Sequence, residues 1–241
     1  MNLFVYETPE ELAEAAARDF AARAEGAIGE RGRFTVAFAG GSTPRATYKV
    51  LAQYYADRID WSRVHAFFGD ERTVSPDHAD SNYRMAHETL LSRVSVGSVH
   101  RMHGELPSEG AAAAYEEELR EFFGRSGIPA FDLVLLGLGA DGHTLSLFPE
   151  TSALDVTDRW VVANPVPKLE TTRLTLTIPV INAAMAVTFL VAGEGKAGAL
   201  KAILEGGADP RAYPAKFIRP ESGDLTWTVD RTAAGSLEKF S

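Results

Sequence analysis

Apolar positions in this chain follow two alternating patterns. Phe34 to Ala39 (FTVAFA), Val64 to Phe68 and Phe131 to Leu136 (FDLVLL) are short runs rich in β-branched and aromatic residues, as expected of strands covered on both faces. Longer stretches of helical character separate them. Thr8-Pro9-Glu10-Glu11 supplies an N-cap, a first-turn proline and a capping-box glutamate ahead of an Ala-rich run to Ala27, where Gly26 and Gly29 are expected to loosen the helix end. Further helices are predicted from about Arg45 to Tyr55, from an Asp80-Ser81-Asn82 cap through Leu91, from Ser108 through AAAAYEEELREFF, and from Lys196 to Leu204. Strands are expected near 159–163, 173–178 and 186–191, with a last one at Leu225 to Val229. The alternation predicts an α/β fold, a single domain over residues 1–241 with a mostly parallel central sheet flanked by helices.

Composition changes this picture little but removes several functions. The 241 residues are 45% hydrophobic and 24% charged, ordinary globular values. There are no cysteines, so a disulfide framework or a cysteine-based zinc site or nucleophile is out of reach. The N-terminal stretch has no signal-peptide pattern and no apolar run is long enough to span a bilayer, so a soluble, cytoplasmic protein is expected. A net charge of -9 argues against nucleic acid. It leaves room for a small phosphorylated ligand, which needs only a few cations and backbone amides gathered in one place.

Three of the expected strands end in polar segments that would emerge on one edge of a parallel sheet. Gly40-Gly41-Ser42-Thr43-Pro44 combines close backbone approach with hydroxyls at a helix start, which suits either a phosphate cradle or an ordinary capped turn. Gly69-Asp70-Glu71-Arg72 brings carboxylates and an arginine. Gly137 to Gly142 matches the dinucleotide fingerprint in form, yet Pro149 follows too soon for a long crossover helix and the loop carries Asp141 and His143. An imidazole two residues from a carboxylate on a glycine-rich turn suits proton transfer instead. The remaining histidines have no metal-ligand spacing, and neither a metal nor another cofactor is expected. Arg72, Lys168, Arg173 and Lys196 stand at or beside predicted strand ends or helix starts and are the candidate anion-binding cations.

Taken together, FAGGSTP, FFGDERTV followed by DSNY, DLVLLGLGADGHTLSLFP, PKLETTRLTLTIPVINAA and FLVAGEGKAGALKAIL resemble the 6-phosphogluconolactonase family, in that order and over roughly residues 34–205. The resemblance implies a Rossmann-like fold of the sugar-phosphate isomerase/lactonase type and hydrolysis of 6-phosphoglucono-1,5-lactone in the oxidative pentose phosphate route. It makes His143 the general base, with Asp141 assisting. Gly40, Gly41, Ser42, Asp70, Arg72, Gly139, Lys168, Arg173 and Lys196 become the substrate-binding set, and a monomer or homodimer the assembly. Glucosamine-6-phosphate deaminase is similar but continues past its histidine to an asparagine–glutamate–proline, where this chain has Leu147-Phe148-Pro149 and only then Glu150. A sugar-phosphate isomerase or deaminase, and a non-catalytic sugar-phosphate-binding regulator, are the competing readings.

Overall fold

The computed structural model describes residues 1–239. Strands β1 (Asn2–Tyr6), β2 (Phe34–Phe38), β3 (Val64–Phe68), β4 (Asp70–Arg72), β5 (Ser98–Val99), β6 (Leu133–Leu136), β7 (Val161–Val166), β8 (Thr171–Leu176), β9 (Ala186–Val191) and β10 (Asp224–Asp230) alternate with helices. The helices are α1 (Pro9–Arg31), α2 (Ser42–Tyr54), α3 (Asn82–Thr89), α4 (Ser108–Phe123), α5 (Ile178–Asn182), α6 (Ala197–Leu204) and α7 (Arg231–Ala234).

Seven strands form one sheet in the order β1, β10, β9, β6, β2, β3, β5, with every neighbouring pair parallel. The apolar runs end up where their composition requires, since β2, β6 and β9 are buried along their whole length. From β2 the chain moves outward through β3 to β5, then returns to insert β6 on the other side of β2 and continues to β9 and β10. The order therefore reverses between β2 and β6, and in such sheets the crevice beyond the carboxyl ends at that point is where ligands bind.

The opposite ends of the same two strands are locked together. The Asp132 carboxylate accepts the Thr35 N–H and hydroxyl, both at 2.7 Å, and Arg31 at 2.8 Å. Helix α1 covers this sheet with a stripe of Leu12, Ala16, Phe20, Ala24 and Ala27, and Phe20 meets Phe34 edge-on at 5.2 Å. Thr8 caps its start as expected, accepting the Glu11 N–H at 3.1 Å. Its end differs from expectation, because the helix runs through Gly26 and Gly29 to Arg31 and stops at Gly32. That glycine takes φ 75° and donates to the Ile28 carbonyl, a left-handed stop that costs a glycine no steric penalty.

The strands expected at 159–163 and 173–178 do not join the parallel sheet. They are β7 and β8, which with β4 make a separate antiparallel sheet in the order β4, β8, β7. Helix α4 packs beneath it, and buried Glu116 fastens the start of β7 by accepting the Trp160 N–H at 3.0 Å and Arg159 at 2.9 Å. Gly69 is the crossing between the sheets: its N–H donates to Phe38 of β2, and its carbonyl accepts from Leu176 of β8. The small sheet thereby hangs over the switch point.

Candidate active site

The loop after β2 turns sharply at Gly41, φ 102°, into α2. Helix α2 begins at Ser42 rather than near Arg45, with Gly41 as its N-cap, so Ser42 and Thr43 are its first residues and no side chain caps it. The amides of its first turn are thus left for an anion, as the phosphate-cradle reading needs. A side chain at Gly40 is barred by Asn82, whose Oδ1 lies 2.0 Å from where a Cβ would sit. Buried Tyr48 holds the loop from below, its hydroxyl bonded to both the N–H and the carbonyl of Ala39 at 3.0 and 2.9 Å.

The loop after β6 is the other wall. It closes on itself through Gly139 N–H to the His143 carbonyl, 2.8 Å, and Gly142 N–H to the Gly139 carbonyl, 3.0 Å. The His143 ring lies over Gly139, where a Cβ would come within 2.0 Å of Nδ1, so the glycine is required by the histidine's position. Phe148 stacks on the ring at 4.2 Å. Asp141 Oδ1 is 2.5 Å from His143 Nδ1, and Lys168 bonds to Asp141 Oδ2. Burial pushes the Asp141 carboxyl up, but hydrogen bonds and charge from His143 and Lys168 outweigh it and hold the group well below the usual carboxylate range. The stability these contacts give is present above the unfolded carboxyl value and is lost only as pH falls through the depressed one. An ionised carboxylate only accepts, so Nδ1 carries the proton of this contact, and in the neutral imidazole the lone pair is then on Nε2.

Arg72 and Arg173 face one another in register across β4 and β8. Each has a buried Nε with no hydrogen-bond partner. Burial and the neighbouring Arg72 push the Arg173 guanidinium down from its ordinary value. Two adjacent guanidinium groups can together meet an anionic oxygen. Lys196 closes the third side, ending a single helical turn (Glu194–Lys196) after β9. A cavity of about 220 Å³ runs between the α2 start, Gly137 to Gly139, His143, Lys196, Asp70 and Arg72, and a second opens beside it, lined by His143, Asp141, Lys168, Phe148, Arg72 and Arg173. Asp141, His143 and all the candidate substrate-binding residues named from the sequence therefore line one or other of these cavities.

Two of them also have protein partners. Lys168 lines the second cavity while pairing with Asp141 and standing 5.1 Å over the Phe148 ring. Asp70 is buried and occupied, accepting Ser146 Oγ at 2.6 Å and Asn82 Nδ2 at 3.0 Å. Sequence reasoning assigned no role to Ser146 and used Asn82 only in a helix cap and within the DSNY motif. The DSN segment could have indicated more, since an amide that satisfies a buried carboxylate at a loop end is seldom just a cap.

A family model described as glucosamine-6-phosphate isomerases/6-phosphogluconolactonase matches residues 7–227. The chain belongs to this family. A 6-phosphogluconolactonase of a Synechocystis species is 47% identical over 216 residues, 88% of each chain. The solved 6-phosphogluconolactonase of Trypanosoma brucei superposes with a TM-score of 0.86 at 32% identity, covering 98% of both chains. A monomeric glucosamine-6-phosphate deaminase shares the fold, with a TM-score of 0.80 at 23% identity, covering 98% of this chain and all of its own. On the family's two chemistries Glu150 is informative, because its backbone sits at φ 57° and its carboxylate faces Arg211 at 3.9 Å, outside both cavities. Among the described residues no helix is long and apolar enough to cross a membrane.

Proposed function

We propose that the protein hydrolyses 6-phosphoglucono-1,5-lactone to 6-phosphogluconate, the lactonase step of the oxidative pentose phosphate route, in the cytoplasm. The carrying observation is the Asp141–His143 pair at 2.5 Å, with the His143 ring lining both cavities alongside Lys196, Arg72 and Arg173. The phosphate lies against the α2 amides and Lys196, and the lactone carbonyl points to Arg72 and Arg173. His143 Nε2 takes a proton from water, and the resulting hydroxide attacks C1. The two arginines receive the oxyanion, whose collapse breaks the bond to the ring oxygen. That oxygen leaves with the proton held on Nε2, and the carboxylic acid formed at C1 releases its remaining proton to solvent, leaving the product carboxylate beside the arginines. Asp141 stays ionised throughout and stabilises the transient imidazolium. A deaminase would need a second carboxylate working with the histidine, and the placement of Glu150 speaks against that reading.

The test is the rate of acid release from freshly generated lactone against an enzyme-free blank, with glucosamine 6-phosphate alongside. Lactone decaying at the blank rate, or loss of the amino sugar, would sink the proposal. Because imidazole alone activates the water in this mechanism, turnover should persist in EDTA; loss reversed by a divalent ion would contradict it. Lys196→Ala should raise KM about tenfold or more with a smaller change in kcat, since a charge-assisted contact contributes about 1.5–3 kcal/mol. An unchanged KM would remove Lys196 from the phosphate site.

A further inference from the structure

Glu71 lines neither cavity, yet it is 2% exposed and its carboxylate takes four hydrogen bonds. Oε1 accepts the N–H groups of Arg72 at 2.7 Å and Asn82 at 2.8 Å. Oε2 accepts the Tyr83 N–H at 2.8 Å and the Ser81 hydroxyl at 2.9 Å. Burial pushes this carboxyl up, opposed by those same bonds. Four donors saturate a carboxylate, so the group is fixed in both position and orientation.

What it joins is informative. On one side its first neighbour is Arg72, which reaches back to the Asp80 carbonyl, has a buried Nε without a partner and pairs in register with Arg173. On the other is Asn82, whose side chain bonds to Asp70 and fills the space that a Cβ on Gly40 would need. A continuous buried path thus runs from the loop at the α2 start, through Asn82 and Glu71, to the arginine pair. We propose that Glu71 is a positioning residue that sets the separation between the two anion sites, so that one ligand can engage both ends with C1 held at His143. The proposal rests on the lactonase reading for the identity of that ligand.

A ligand that touches one end should be indifferent to the separation, whereas one that spans both should not. Glutamine keeps the size of Glu71 but offers one acceptor oxygen, leaving part of the donor set unanswered. Glu71→Gln should therefore weaken binding of 6-phosphogluconate, measured by calorimetry, and lower kcat, each about tenfold, because small misplacements in a positioned complex carry costs of that order or larger. Inorganic phosphate, tested as a competitive ligand, should bind within about twofold of wild type. In an Arg72→Ala background the same substitution should cost under about twofold, since coupled residues depart from additivity. Equal loss for inorganic phosphate and 6-phosphogluconate, the same loss in both backgrounds, or no loss in either would overturn the positioning role. If Glu71→Gln does not fold, Ser81→Ala removes one of the four bonds and leaves the carboxylate; the same comparisons then support or overturn the role in the same way. Wild-type protein that binds 6-phosphogluconate without opening the lactone would refute the function reading alone, while the binding comparisons still judge the strut; no binding of 6-phosphogluconate would sink both.

Discussion

His143→Asn should lower kcat by on the order of 10²–10⁴ while KM moves little. Asparagine occupies a similar volume and can still bond to Asp141, so the loop should keep its shape. It cannot take a proton from water and return it to the ring oxygen. In the proposed mechanism the loss falls on kcat because Nε2 acts on the reacting atoms, whereas the groups assigned to the phosphate, the α2 amides and Lys196, come from other segments. Asp141→Asn should fall less far, since it removes the orienting charge but not the proton carrier. A folded His143→Asn protein that opens the lactone at the wild-type rate above background would end the general-base assignment.

The second large effect concerns Arg72. If the arginine pair receives charge that develops at the carbonyl oxygen, Arg72→Ala should cost about 10²–10³ in kcat, the loss typical of a missing oxyanion donor. Arg72→Lys should recover only part, because an ammonium lacks the fork that faces the same oxygen as Arg173. The result to compare is that of Lys196→Ala, where the loss belongs in KM. Were Arg72→Ala to raise KM and spare kcat, the phosphate would lie at the arginines and the substrate would bind the other way round.

Much of this site could be read from the sequence because the determining features are local. FTVAFA and FDLVLL announce buried strands, each runs directly into a glycine loop, and Asp141 and His143 are two residues apart on one turn. Features that depend on distant pairing were not legible. Nothing in GDER indicates that Arg72 faces Arg173, because that neighbourhood comes from the antiparallel register of β4 on β8. Strand β1 escaped prediction for a related reason: it is largely exposed, and its parallel partner β10 lies at the far end of the chain. A turn capped by a Ser or Thr hydroxyl is one of the two readings of GGSTP. The turn at Gly41, φ 102°, puts the glycine itself in the cap position and Ser42 inside the helix. The Gly26 and Gly29 error was energetic, as two glycines cost a helix roughly 2 kcal/mol in total and the buried stripe of α1 outweighs that.

The order of strands also bears on how the chain is made. Strand β2 leaves the ribosome early, with β3 soon after on one side, but the neighbour on its other side, β6, follows only once the whole of α4 has been synthesised. Throughout that interval one edge of β2, a strand that ends up buried along its whole length, has no partner, and an unpaired strand edge is the kind of surface that recruits another copy of itself. The insertion of β6 between β2 and β9 is thus the step that covers this edge.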